Sequence, residues 1–144
     1  VFVVDTNVLL YAANQSSPGH ELCKRLFARW RNQTEPWYLT WGIIYEFLRV
    51  STHPRVFPKP LSLENAWAFL DAALASPAAE VLQETERHGT LLKEMAAEVP
   101  GLRGNLVFDA HIAVLMREHG IKRIYTHDAD FRGFPSLEVI DPLQ

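Results

Sequence analysis

The stretch Val1-Phe2-Val3-Val4-Asp5-Thr6-Asn7-Val8-Leu9-Leu10 opens the chain and decides how everything after it is read. An apolar run of strand length ends at an acid, and the residues behind the acid take up helical spacing. The alternation then continues. Strands are expected at Phe2–Val4, Trp37–Thr40, Ile121–Thr126 and Leu137–Ile140, with a fifth candidate at Glu80–Gln83. Helical periods fill the gaps at Thr6–Ala13, Gly19–Trp30, Gly42–Val50, Ser62–Ala75, Arg87–Glu98 and Asn105–His119. The last of these is opened by an Asn cap and closed by Gly120. Thr52–Pro60 reads as a connection, because Pro54, Pro58 and Pro60 are unwelcome in helix interiors and central strands. No internal repeat is present. The pattern is that of an α/β fold built on a central, mostly parallel sheet of four to five strands.

A chain of 144 residues with 48% hydrophobic content suits one domain, residues 1–144, with a sizeable core. The single cysteine, Cys23, has no partner for a disulfide and no zinc-ligand spacing around it, so a reducing cytoplasm is the expected compartment. Asp5 and Asn7 interrupt the apolar opening, no basic leader precedes it, and no later run approaches membrane-span length, so neither targeting nor a membrane segment is expected. The net charge of −3 does not by itself favour a polyanion as partner. The charge is unevenly spread, however. Between His20 and Lys59, seven basic residues (Lys24, Arg25, Arg29, Arg31, Arg49, Arg55, Lys59) face three acids (Glu21, Glu35, Glu46), an excess of +4 that leaves −7 for the remainder. One basic face beside a separate acidic pocket would produce this, and so would a mixed solvated surface.

Asp5 follows a strand directly, and in open α/β sheets ligands gather beyond the carboxyl ends of the strands. Asp128 has the same address, one residue past Ile124-Tyr125-Thr126, so the two acids share an edge if their strands are neighbours. Asp109 sits inside a helical period whose i+3, i+4 and i+7 positions are Ile112, Ala113 and Met116, which puts a carboxylate on the inward face. Glu46 also falls on an apolar stripe, between Ile43 and Val50, although Arg49 at i+3 offers it an ordinary ion pair. An unpaired buried carboxylate costs several kcal/mol or more, and no inward Lys or Arg stands beside Asp109. Protonation or a bound metal would relieve it. Four carboxylates without Cys or His at ligand spacing select Mg²⁺ or Mn²⁺ over zinc or copper. Such ions suit phosphoryl chemistry with an activated water as the attacking group. Taken singly, each acid could equally be a cap or a solvated side chain.

The local sequences around these acids are more specific than their positions. Asp5-Thr6-Asn7-Val8-Leu9-Leu10, Tyr45-Glu46-Phe47-Leu48-Arg49, Asp109-Ala110-His111-Ile112-Ala113 and Thr126-His127-Asp128-Ala129-Asp130-Phe131 occur in that order, and together they resemble the PIN domains. The tract from Glu46 to Ser62 further resembles a subgroup of VapC toxins. The resemblance implies a three-layer αβα PIN-like fold and divalent-metal-dependent endoribonuclease activity on RNA. It also implies the toxin role in a type II toxin–antitoxin pair, a cognate VapB-like antitoxin that blocks the acidic pocket, and a homodimer. Asp5, Glu46, Asp109 and Asp128 match the family's acidic quartet. Asp130 either assists metal binding or caps the turn before Phe131. Asn7 and Thr126 match polar positions that orient the acids. Trp30, Trp37, Tyr38, Trp41, Tyr45 and Phe57 interleave with the basic tract and could stack bases, but packing or an interface explains strand and helix positions such as Trp37 and Tyr45 better. His127 either transfers a proton or, as loop histidines beside a site more often do, stands by without a role. Two alternatives stand beside this reading, a catalytically silent PIN-like module that binds a protein and a housekeeping nuclease without an antitoxin. A dehalogenase-like phosphatase would want a second Asp at Asn7, and no Gly-rich phosphate loop is present.

Overall fold

The computed structural model describes residues 1–144. Five strands form one sheet in the order β3-β2-β1-β4-β5, with every neighbouring pair parallel. They are β1 (Phe2–Val4), β2 (Trp37–Thr40), β3 (Ala79–Leu82), β4 (Arg123–Tyr125) and β5 (Glu138–Ile140). The helices are α1 (Thr6–Ala13), α2 (His20–Asn32), α3 (Trp41–Ser51), α4 (Leu63–Leu74), α5 (His88–Glu98) and α6 (Leu106–Glu118), and a 3-10 turn spans Ala129–Gly133. The fifth strand candidate is thus a real edge strand, displaced by one residue. The expected strands β4 and β5 are shorter at their ends, and the sheet is wholly parallel.

Each parallel pair needs a crossover, and the helices supply it. The chain steps from β1 to β2 to β3 in one direction, then returns past both to lay β4 on the far side of β1. With the right-handed crossovers that parallel strands favour, this reversal puts α1–α4 on one face and α5–α6 on the other, giving three layers. The helix contacts agree, since α1 packs on α2 and α3, α3 on α4, and α5 on α6. Trp30 and Trp37 lie in the core, where the Trp37 indole N–H donates to the Trp30 carbonyl at 3.0 Å, and Phe57 is buried as well. These three aromatics are packing residues, whereas Trp41 and Tyr45 are exposed.

Two local expectations are corrected. Asn105 has helical backbone angles (φ −62°, ψ −24°) and its side chain makes no cap hydrogen bond, because a turn bonding Leu106 N–H to the Arg103 carbonyl already delivers the chain in helical form. Glu46 does not belong to a buried stripe. It is exposed on α3, while Ile43, Ile44 and Phe47 face inward. Gly120 closes α6 with φ +68°, a conformation that residues with a Cβ rarely adopt. No helix is long and apolar enough to cross a membrane.

Candidate metal centre

Because β1 and β4 are hydrogen-bonded neighbours with Val4 beside Tyr125, their carboxyl ends deliver Asp5 and Thr126 to the same point of the sheet edge. The backbone continues the ladder there, with Asp5 N–H donating to the Tyr125 carbonyl at 3.0 Å. Asp5 is buried and also caps α1, its Oδ1 accepting from Thr6 N–H at 2.7 Å. Its Oδ2 accepts from the Thr126 hydroxyl at 2.7 Å and from Asn7 Nδ2 at 3.1 Å. Thr126 Oγ1 in turn accepts from Asn7 Nδ2 at 2.9 Å and from Asp128 N–H at 3.0 Å. Asn7 Oδ1 accepts from His127 N–H at 3.0 Å. Asn7 and Thr126 therefore hold Asp5 and the start of the Asp128 loop in one frame.

Around this frame the other acids converge. Asp128 caps the 3-10 turn through Oδ1, which accepts from Asp130 N–H at 2.9 Å. One oxygen each from Asp109, Asp128 and Asp130 lie within 4.8 Å of one another. Glu46 joins from α3 through the Thr6 hydroxyl, which donates to its Oε2 at 3.3 Å. Asp130, ambiguous in sequence, thus belongs to the tight trio, while Glu46 stands at the exposed margin. Thr6 links Asp5 to Glu46 and had not been singled out. Its one signal was its place as first residue of α1, behind the strand-end acid. His127 points elsewhere, its Nδ1 pairing with Asp141 Oδ2 at 2.8 Å.

Crowding leaves an electrostatic signature. Burial raises the Asp5 carboxyl from 3.8 to about 6, against hydrogen bonds from Thr126 and Thr6 that lower it, and the negative charges of Glu46 and Asp128 push it further up. Desolvation raises Asp109 to about 7, with Asp128, Asp5, Asp130 and Glu46 all adding to the shift and no hydrogen bond opposing it. None of the five acids is among the chain's ion pairs. A donor set made only of carboxylate oxygens, uncompensated by any Lys or Arg, fits a hard divalent cation. Such an ion would remove the repulsion that holds these carboxyls up.

The PIN domain family model matches residues 2–136, and this chain belongs to the PIN domain family. The chain is 36% identical to Ribonuclease VapC48 of Mycobacterium tuberculosis over 138 residues, covering 96% of this chain and 94% of that one. It is likewise 36% identical to Ribonuclease VapC43 of the same organism over 140 residues, 97% and 94% of the two chains. These likenesses set it among the VapC-type members. The fold matches that of VapBC2 from Rickettsia felis, solved bound to a DNA fragment from its promoter, with a TM-score of 0.67 at 18% identity over 96% of both chains.

Proposed function

We propose that this chain is a divalent-metal-dependent endoribonuclease that hydrolyses RNA phosphodiester bonds as the toxin of a type II toxin–antitoxin pair. The observation that carries the reading is the unneutralised gathering of Asp5, Glu46, Asp109, Asp128 and Asp130 at the carboxyl edge of the sheet. The kinship to proteins named ribonucleases supports RNA as the substrate.

In this reading Asp5, Glu46, Asp109 and Asp128 are the catalytic carboxylates and ligands of Mg²⁺ or Mn²⁺, Asp130 joins the ligand set, and Asn7 and Thr126 are positioning residues. A bound divalent cation supplies positive charge at the scissile phosphate and acidifies the attacking water. Asp5, held on both oxygens, is the rigid member of the set. Asp109 accepts no hydrogen bond and is free to turn toward an ion. Arg49, exposed on α3 one turn from Glu46, supplies a phosphate contact for the RNA. Trp41 and Tyr45 on α3, which carries Glu46, and Val107 and Phe108 on α6, which carries Asp109, are exposed apolar side chains. They offer apolar contacts to a VapB-like antitoxin, and the solved VapBC assembly of like fold supports such a partner. A homodimer is the expected state of the toxin.

The test compares wild type with an Asp5→Asn, Asp109→Asn double variant on total RNA, with Mg²⁺ and with chelator. Wild type should cleave only with the metal. The variant should lose on the order of a thousandfold in rate, corresponding to several kcal/mol of transition-state charge stabilisation. Equal cleavage by both proteins would sink the proposal.

A further inference from the structure

On the β3 side of the molecule a different donor set meets. The connector between β3 and α5, with the first residue of α5, lies across the outer part of α6, tied there by five contacts. Glu84 Oε1 lies 2.7 Å from His111 Nε2, and Glu118 Oε1 accepts from both the N–H and the hydroxyl of Thr85, at 2.8 and 2.7 Å. Arg87 donates to the Glu118 carbonyl at 2.8 Å, and His88 Nδ1 lies 2.6 Å from Glu118 Oε2. His111 and Glu118 stand seven residues apart on α6, two turns along one face. The rings of His88 and His111 meet edge to face at 5.4 Å.

We propose that Glu84, His88 and His111 form a second cation site, selective for Zn²⁺ and similar borderline transition-metal ions. One ligand atom from each lies within 4.8 Å of the others, on three side chains exposed enough to admit an ion. Two imidazoles and one carboxylate with an open fourth position are a recurrent zinc donor set. Tetrahedral ligands sit roughly 3.3 Å apart, a spacing that small rotations of the exposed Glu84 side chain can reach. The second observation is Glu118. Its side chain is fully buried, and by engaging His88 Nδ1 it leaves Nε2 as the free donor, the carboxylate–histidine arrangement that orients metal-binding imidazoles. The chemistry differs from that of the acidic pocket, whose oxygen-only donors favour harder ions. Bound zinc would pin the β3–α5 connector to α6, the helix that also carries Asp109.

Calorimetric titration of the metal-free chain with ZnCl₂, in excess MgCl₂ to occupy the acidic pocket, tests this. A single zinc equivalent is expected. His88→Ala and His111→Ala should each weaken it by on the order of a hundredfold, and Glu118→Gln by about tenfold. Asp109→Asn, which damages only the acidic pocket, should bind zinc like wild type. Undiminished binding in both alanine variants overturns the proposal, as does loss of zinc in Asp109→Asn or displacement of zinc by Mg²⁺. Should either alanine variant fail to fold, the zinc X-ray absorption spectrum of the wild-type chain decides. Scattering from two imidazoles upholds the site, and an all-oxygen shell refutes it.

Discussion

Helix α6 carries two acids toward the protein, Asp109 near its start and Glu118 at its end, and they live under opposite conditions. Asp109 has like charges for neighbours and no donor, so its carboxyl is pushed up to about 7. Burial also pushes Glu118 up, but hydrogen bonds from His88 and Thr85 outweigh it and hold the carboxyl below its ordinary value. The contrast teaches that an inward-facing acid is not by itself a functional signal. What separates the two is the identity of the neighbours. A carboxylate given donors tends to stabilise the fold, whereas one given only other carboxylates strains it until a cation arrives.

The sharpest way to break this comparison is to delete both kinds of acid and read the sign of the stability change in metal-free buffer. Glu118→Ala should cost about 3 kcal/mol, because Thr85 and His88 lose a buried acceptor together. Chemical denaturation at pH 7 would measure it, and a neutral result would end the claim that this acid is structural. Asp5→Asn should do the reverse. The raised folded-state value of Asp5 means that the native protein binds its proton more tightly than the unfolded chain, so its contribution worsens as pH rises from about 4 to about 6 and is fully unfavourable above that. The shift corresponds to an upper limit of roughly 3 kcal/mol, and the new amide facing the Thr6 N–H removes part of the gain, leaving about 2 kcal/mol of stabilisation at pH 8. The advantage over wild type should vanish below pH 4. A variant that is less stable at pH 8, or whose advantage does not change with pH, would contradict the repulsion. The smallest effect expected is for Thr126→Val, about 1 kcal/mol of destabilisation, since Asp128 N–H and Asn7 lose an acceptor while Asp5 loses a donor. Unchanged stability in this variant would show that the frame around Asp5 is dispensable.

The same contrast explains what could be read in advance. Strand-then-helix alternation is a local signal, and it located every strand and helix to within a few residues, including the turn that places Asp5. Asp109 was legible because helical period alone put it among Ile112, Ala113 and Met116. Glu46 was misjudged for a related reason. Period assigns a face to a residue but does not say where that face ends, and on α3 the apolar stripe stops short of it. Glu118 gave no signal, because its partners, Thr85 on the β3–α5 connector and His88 at the start of α5, lie 33 and 30 residues away, beyond the reach of any helical period. The 3-10 turn at Ala129–Gly133 escaped for want of length, which left Asp130 open between metal binding and capping the turn.

The bond from Asn7 to Thr126 spans 119 positions of the chain. During synthesis β4 is made after β1, β2, β3 and all six helices, so the frame around Asp5 cannot close until Thr126 has left the ribosome. A nascent chain, or one truncated by premature termination, carries Asp5 without Asp128 or Asp130 beside it. The pocket is therefore assembled only once the chain has been extended through β4.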